Sequence, residues 1–156
     1  MTVTLAQIRD AIAAKMATVE NIGIVHKYER FAKGEKDFRT LYDFNGQILG
    51  WNIRRITRVE TSQMFGSSEI VNKWRVRGFM SLADALSSEL TFDGLVEDLC
   101  AAFRADETLG GLINSTVIPA QGNIAGLQEE DSGPVMFSGV LCHSASLALY
   151  TWHTNQ

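Results

Sequence analysis

Apolar and polar residues alternate between positions 69 and 80, and this alternation constrains the fold more than any other feature. On a β-strand, one side would carry Ile70, Trp74, Val76 and Met80. The other side would carry Val71, Lys73, Arg75, Arg77 and Phe79. This pattern is typical of a half-buried antiparallel strand. A second strand is predicted over residues 48–60, and the polar stretch 61–68 between them predicts a long β-hairpin.

The clearest helical pattern lies between residues 88 and 105, where Ser87 or Ser88 is the predicted N-cap. Its apolar stripe consists of Phe92, Leu95, Val96, Leu99, Cys100 and Phe103. A first helix is predicted near the N-terminus, because Thr4 and Gln7 match a capping box. The stripe that follows them consists of Leu5, Ile8, Ala11, Ile12 and Met16.

The remaining segments complete a predicted α-β-β-β-α-β-β order. Strands are expected over residues 24–31, 115–127 and 135–152, a loop over 32–46, and a turn over 129–134. The loop is aromatic, and we interpret its aromatic residues mainly as packing against the body of the fold. The alternative is that the segment from Lys33 to Phe44 forms a contact with another subunit or with the tube. The sequence thus predicts one α+β domain, residues 1–156, with two helices on one face of a mainly antiparallel or mixed sheet.

Composition excludes several classes of protein. The net charge of −4 argues against a nucleic-acid-binding chain, because such a surface needs a basic excess. The only cysteines, Cys100 and Cys142, are expected to be reduced and buried. No secretory signal and no membrane-spanning stretch is apparent, so synthesis inside the cell is expected.

A search for catalytic or ligand-binding patterns finds none, so the sequence predicts no enzyme, no metal site and no cofactor. The histidines, His26, His143 and His153, lack the spacing of a zinc-binding helix. Cys142 and His143 are adjacent, but neighbours on a strand point to opposite faces and cannot act as a nucleophile–base pair. A small enzyme that uses His143 remains an alternative hypothesis.

Charge is strongly segregated along the chain. Residues 51–80 contain six basic residues against two acidic ones, and residues 84–107 contain seven acidic residues against one basic. One interpretation is two solvated faces of opposite sign. The other is a contact between the basic hairpin of one subunit and the acidic helix of the next. The residues predicted for this interface are Arg54, Arg55, Arg58, Lys73, Arg75, Arg77, Glu89, Asp93, Glu97 and Asp98. A third interpretation is that the basic hairpin lines a channel through which a polyanion passes.

The chain resembles the tail terminator, or tail completion, proteins of long-tailed bacteriophages. The resemblance is carried by short segments distributed over most of the chain. They are I-R-D-A-I at residues 8–12, N-I-G-I-V at 21–25, L-G-W-N-I-R-R-I at 49–56, W-R-V-R-G-F at 74–79, S-S-E-L-T-F-D-G-L-V-E-D-L at 87–99 and L-A-L-Y-T-W at 147–152.

The resemblance implies a structural protein of the virion, made in the host cytoplasm, that forms a hexameric ring on the end of the tail tube. Such a ring stops polymerisation of the tube and offers a surface for head attachment. The implied partners are further copies of the chain, the tail tube protein and a head-completion or neck protein, with DNA nearby in the channel and no membrane. A head–tail connector on the head side is the alternative structural reading.

Replacing Leu99 with Ala is expected to destabilise the domain by roughly 2–5 kcal/mol, because the substitution empties a predicted core position. Denaturant unfolding of the two proteins measures this difference. A loss below about 0.5 kcal/mol would contradict the predicted helix face.

Overall fold

The polypeptide forms three α-helices and eight β-strands within residues 2–155, which the computed structural model describes apart from the side chain of Gln63. The helices are α1 (Leu5–Ala17), α2 (Glu35–Leu41) and α3 (Ser88–Arg104). The strands are β1 (Ile24–His26), β2 (Asp43–Phe44), β3 (Gln47–Met64), β4 (Ser67–Ser81), β5 (Val117–Ile118), β6 (Ile124–Ala125), β7 (Leu127–Phe137) and β8 (Val140–Asn155). Short 3₁₀ turns cover Asp84–Leu86 and Pro119–Gln121.

The main sheet has the strand order β1-β3-β4-β8-β7, and β2 pairs with the start of β3. The β1–β3 pair is parallel and the other pairs are antiparallel, so the sheet is mixed. The short strands β5 and β6 form a separate two-stranded ladder. The predicted single α+β domain is confirmed.

Helices α1 and α3 pack on the same face of the sheet, as predicted. Their buried side chains share one core with those of the three central strands. Trp51 on β3 and Trp74 on β4 are both fully buried in this layer, and the Trp51 ring stacks on Phe92 of α3 at 5.6 Å between centroids. The predicted capping box at the start of α1 is present, with Thr4 and Gln7 bonded reciprocally.

Helix α2 lies on the opposite face of the sheet, in the segment for which the sequence predicted a loop. Phe38 and Tyr42 are both buried there, four residues apart. The Phe38 ring contacts Phe79 edge-on and Phe137 at a tilt. The aromatic residues therefore hold the segment against the fold, as interpreted from the sequence. They do so through one face of a short helix, since i and i+4 lie on the same side.

Three predicted strands have different bounds in the structure. Strand β1 ends at His26 rather than at residue 31, and Glu29 beyond it pairs with arginines of the sheet. The strand predicted over residues 115–127 is divided into β5, the 3₁₀ turn at Pro119–Gln121, β6 and the start of β7. The predicted turn at residues 129–134 is part of β7. The true turn is at Ser138 and Gly139, both with positive φ, as a tight two-residue hairpin requires.

The β3–β4 hairpin is longer than predicted. Its strands remain paired to Met64 and Ser67, so that only Phe65 and Gly66 form the turn. Ser87 occupies the predicted N-cap position of α3, but it does so in a left-handed conformation and makes no side-chain cap bond. The Ser88 hydroxyl instead accepts a hydrogen bond from the Ala83 backbone at 2.8 Å.

Two glycines provide a matched test of the core. A Cβ atom at Gly78 would overlap the Trp51 ring, whereas a Cβ at Gly94 on α3 would meet no atom within 4 Å. We expect Gly78→Ala to destabilise the fold by about 1–3 kcal/mol through overpacking. Gly94→Ala should stabilise it by about 0.5–1 kcal/mol, because alanine favours the helix. Denaturant unfolding measures both, and a Gly78→Ala protein as stable as wild type would contradict the described packing.

Candidate assembly surfaces

The six predicted basic interface residues divide between the two faces of the hairpin. Arg54 pairs in register with Arg75, and Arg77 pairs with Asn52, on the face that α1 and α3 leave open. Lys73 lies on the same open face, since it alternates with the buried Trp74. Arg55 and Arg58 lie opposite Trp74 and Asn72, on the helix-covered side. The structure therefore brings four of the six together.

Most of these cations are paired with carboxylates of the same chain. Glu29 accepts from Arg54 at 3.0 Å and from Arg75 at 3.3 Å. Arg58 pairs with Glu60 at 2.8 Å, on the exposed hairpin. The Glu29 contacts reduce the charge that the open face offers to a partner, and the Glu60 contact does the same on the other face.

Lys73 crosses the sheet to Glu130 on β7, at 3.0 Å between Nζ and the carboxylate. The hydrogen bond to Glu130 raises the pKa of Lys73 and keeps its ammonium charged. No sequence pattern predicts this pair, because the two positions meet only through the register of β4, β8 and β7.

Arg55 and Arg77 have no carboxylate partner within the part of the chain that the structure describes. The Arg77 guanidinium lies over the rings of Phe79 and Phe137, at 4.9 and 5.5 Å from their centroids. Such cation–π contacts orient the side chain and leave its full charge in place. These two arginines are the unneutralised part of the predicted basic surface.

The predicted acidic residues form an exposed surface on α3. Glu89, Asp93, Glu97 and Asp98 are all exposed. Within residues 2–155, none of the four is in an ion pair. Because α3 packs on the face opposite Arg54, Lys73, Arg75 and Arg77, the segregation along the sequence becomes in part a segregation between two sides of one sheet.

Exposed apolar side chains mark the tip of the β3–β4 hairpin. Phe65 in the turn is fully exposed, and Met64 beside it is 70% exposed. Ile56 and Val59 add partly exposed apolar surface along the same arm. The sequence predicted a polar tip here, so this apolar tip is a feature that sequence reasoning missed.

A second exposed apolar group lies at the other end of the strands. It consists of Leu82, Leu86, Leu90, Met136 and Leu141, where β4 ends and β7 turns into β8. Patches of this kind are typical of surfaces that bind other proteins. The domain thus carries one apolar patch at each end of its long strands.

A cleft beside the start of α3 contains an unexpected serine–histidine pair. The Ser88 hydroxyl lies 2.7 Å from Nε2 of His143, and Phe92 stacks beside the imidazole at 6.0 Å between centroids. The cleft has a volume of about 340 Å³ and also contains Asp93 and Pro134 in its wall. Ser88 also accepts from the Ala83 N–H, so its hydroxyl is held between the Ala83 backbone and the imidazole.

The cysteines agree in part with the sequence prediction. Cys142 and Cys100 are both free thiols, but only Cys142 is buried. Burial raises the pKa of Cys142 to about 11, so this thiol stays protonated and unreactive at neutral pH. Cys142 faces the α2 cluster while His143 lines the cleft on the other side, as expected for neighbours on a strand.

No group of three or more His, Cys, Asp or Glu residues within positions 2–155 is arranged to hold a metal ion. Among the helices that the structure describes, none is both long and apolar enough to cross a bilayer.

No family model matches the chain, and no curated protein matches it.

Burial of His153 makes the free energy of unfolding depend on pH. Its pKa is lowered from the ordinary 6.5, first because burial disfavours the charged ring and second because Arg58 lies nearby, while Glu60 acts in the opposite direction. Below pH 6.5 the unfolded chain binds a proton that the folded chain resists, so this contribution to stability is lost as the pH falls. We expect the free energy of unfolding to decrease as the pH falls below about 6.5, and His153→Gln to reduce that slope. An equally steep slope in the variant would show that another group is responsible.

Proposed function

We propose that the protein is a structural subunit that assembles head to tail into a ring and caps the tail tube of a long-tailed bacteriophage. The observation that carries this proposal is the charge on two sides of one sheet. An unpaired acidic surface lies on α3, and Arg77, which has no carboxylate partner in the described chain, lies on the opposite, open face. Surfaces of opposite sign on different sides of a subunit favour contacts between unlike patches, which generate rings or filaments. The resemblance to tail terminators favours the ring.

The two apolar patches fit the same role. A terminator must bind the tube at one end and a head-side protein at the other, and the domain has an exposed patch at each end of its long strands. We assign the Phe65 tip to the tube contact, because a projecting hairpin reaches beyond the body of its own subunit. The segment from Lys33 to Phe44, which contains α2, remains a second candidate for subunit or tube contact.

Competitive capping is the mechanism that follows from this arrangement. One end of the ring occupies the position that the next ring of tube protein would take. The other end lacks a matching site for tube protein, so polymerisation stops and a head-side partner binds there. This mechanism requires complementary shape and charge at two surfaces, and it requires no chemical step.

A head–tail connector on the head side would use the same features with a different partner. Pull-down of the purified chain against tail tube protein and against portal-side protein separates the two roles. Retention on the tube protein favours the terminator, and retention on the portal-side protein alone favours the connector.

The Ser88–His143 pair is the specific observation that favours a second function, hydrolysis of an ester or amide. Ser88 Oγ would attack the carbonyl carbon while its proton passes to Nε2 of His143, and the imidazolium would give that proton to the leaving alcohol or amine as its bond to the carbonyl carbon breaks. Water, deprotonated by the same imidazole, would then attack the acyl group, release the acid and restore the Ser88 hydroxyl. A fluorophosphonate probe that labels wild type, but neither Ser88→Ala nor His143→Ala, would support this function. Absence of labelling in wild type would remove it.

Electron microscopy of tail tubes mixed with the chain tests the capping role. We expect a ring at one end of each tube and no further elongation when tube protein is added. Phe65→Asp should abolish end binding while leaving the melting temperature within about 2 °C, because the side chain is fully exposed.

Leu86→Asp is the matched control for that variant. It adds the same charge at the other end of the strands, where Leu86 is 80% exposed. We expect it to cap tubes normally. Capping by Phe65→Asp at the wild-type level would contradict the assignment of the hairpin tip.

A further inference from the structure

The cleft that contains Ser88 and His143, called the α3 cleft below, is suited to an apolar group. The Ser88 hydroxyl and Nε2 of His143 bond to each other at 2.7 Å, so an apolar group can cover them without leaving either unpaired. The volume of about 340 Å³ lies near the lower end of the range for ligand pockets, about 300–1,000 Å³. The cleft therefore suits one large side chain. The apolar residues of its wall are Leu82, Leu90, Phe92 and Pro134.

Three carboxylates also line the α3 cleft, and no lysine or arginine of residues 2–155 does. They belong to Asp84, Glu89 and Asp93, which are all exposed and in no ion pair within the described chain. The cleft therefore favours an occupant with positive charge beside its apolar group. Of the acidic residues predicted for the subunit interface, Glu97 and Asp98 lie outside it.

The segment after β1 presents an apolar group of this kind. Phe31 is 84% exposed, and Arg30 and Lys33 flank it in the sequence. Neither cation is in an ion pair within the part of the chain that the structure describes. The Arg30 guanidinium lies over the Tyr28 ring at 5.3 Å, which orients it and leaves its charge in place. The neighbouring carboxylate of Glu29 is bonded to two arginines of the sheet.

Phe31 and the α3 cleft lie at opposite sides of the sheet. Strand β1 is at one end of the strand order, and β7, which contributes Pro134 to the cleft, is at the other. Phe31 stays near β1, because it shares a shallow depression with Leu41, whose carbonyl oxygen is 2.6 Å from Nε2 of His26. Four strand spacings of about 4.8 Å separate the two edges. A contact between them therefore joins two copies head to tail, and such contacts generate rings or filaments.

The two features also lie at similar heights along the strands. The register of the sheet places His26, at the end of β1, level with Ser146 of β8. His143 is three residues from Ser146 on the same strand, a span of about 10 Å. Copies placed side by side in the same orientation therefore bring Phe31 close to the height of the neighbouring cleft, and a modest tilt of the strands against the ring axis aligns the two.

We propose that Phe31 of one copy inserts into the α3 cleft of the next, where Arg30 and Lys33 meet the carboxylates of its rim. This inference rests on the proposed ring and identifies the contact that joins its subunits. An exposed aromatic side chain that fills a pocket of its partner is typical of the residues that carry most of the binding energy. The contact takes its basic half from the segment after β1, so every Phe65 tip remains available to the tube. The apolar residues outside the cleft that remain available to a head-side protein are Leu86, Met136 and Leu141.

A mixture of two blocked variants tests this contact. Phe31→Asp removes the inserted ring and keeps the cleft, whereas Leu90→Arg places a cation at the cleft and keeps Phe31. Both positions are exposed, so both chains should fold. Sedimentation velocity at low salt, alone and with tail tubes, should show self-association weakened about thirtyfold or more in each variant. An equimolar mixture should form a dimer that grows no further, because each pair of chains contains one intact Phe31 and one intact cleft.

Glu97→Arg is the matched control for Leu90→Arg, because Glu97 is exposed on α3 and lies outside the cleft. It should associate as wild type does. A dimer in the mixture excludes misfolding as the cause of either loss, since a misfolded chain supplies neither half of the contact. Rings in either blocked variant, or a mixture that stays monomeric although wild type assembles, would overturn the contact.

Photo-crosslinking identifies the occupant of the cleft directly. The photoreactive amino acid p-benzoylphenylalanine in place of Phe31 should join two copies through a peptide that contains Pro134 or His143, which mass spectrometry identifies. The same amino acid in place of Phe65 should join the chain to tube protein. Crosslinks from position 31 to tube protein, or to another surface of a second copy, would contradict the assignment. Fluorophosphonate labelling of Ser88 in assembled rings would also contradict it, because the cleft would then be unoccupied.

The outcomes separate this contact from the proposed function. Rings of Phe31→Asp that cap tubes as wild type does would overturn the contact and leave the terminator role. A dimer in the mixture and a crosslink to the cleft, without binding to tubes, would support the contact and remove the terminator role. A wild-type chain that stays monomeric alone and on tubes would overturn both.

Discussion

The apolar layer between the two long helices and the sheet is the interaction on which the rest of the structure depends. Trp51 stacks on Phe92, and its indole N–H donates to the Ile22 carbonyl at 2.9 Å, so one side chain joins β3, α3 and the segment after α1. Trp74 donates to Thr151 Oγ1 at 3.0 Å and links β4 to β8. Burial of these large rings, with their polar atoms satisfied, fixes both helices on the same face.

That one-sided packing determines where charge can lie. With α1 and α3 on one face, the alternating residues of β4 must face the other way, and Arg75 and Arg77 lie on the open face. Glu29 and the aromatic cluster around α2 occupy part of that face. The acidic residues of α3 are left on the outer side of the helix layer. Charge separation is therefore a consequence of the core, and it gives the subunit two unlike surfaces.

Sequence patterns predicted the elements that have one apolar side and one polar side. Helix α3 and the β3–β4 hairpin were identified in this way, because their burial repeats with the period of the backbone. Strand β7 was missed since Glu129, Glu130 and Asp131 are exposed on an edge strand, so no alternation marks it. Helix α2 was missed although Phe38 and Tyr42 have helical spacing, because the charged residues around them resemble a loop.

The candidate surfaces were predictable only in part. The sign of each charged segment can be counted from the sequence, but the pairing of Glu29 with Arg54 and Arg75 depends on tertiary folding. The same holds for Ser88 and His143, which are 55 positions apart and meet through the packing of α3 on β8. The position of Phe31 and the α3 cleft at opposite sides of the sheet also required the strand order, which no local pattern provides.

Native mass spectrometry of the assembled chain measures whether unlike surfaces of one subunit build a closed assembly. A closed ring predicts one dominant mass, at a fixed multiple of 17.2 kDa, that stays unchanged as the protein concentration rises. The resemblance to tail terminators predicts a multiple of six. A ladder of masses that lengthens with concentration would show an open assembly instead of a ring. A monomer at every concentration, alone and on tail tubes, would show that the unlike surfaces do not bind each other.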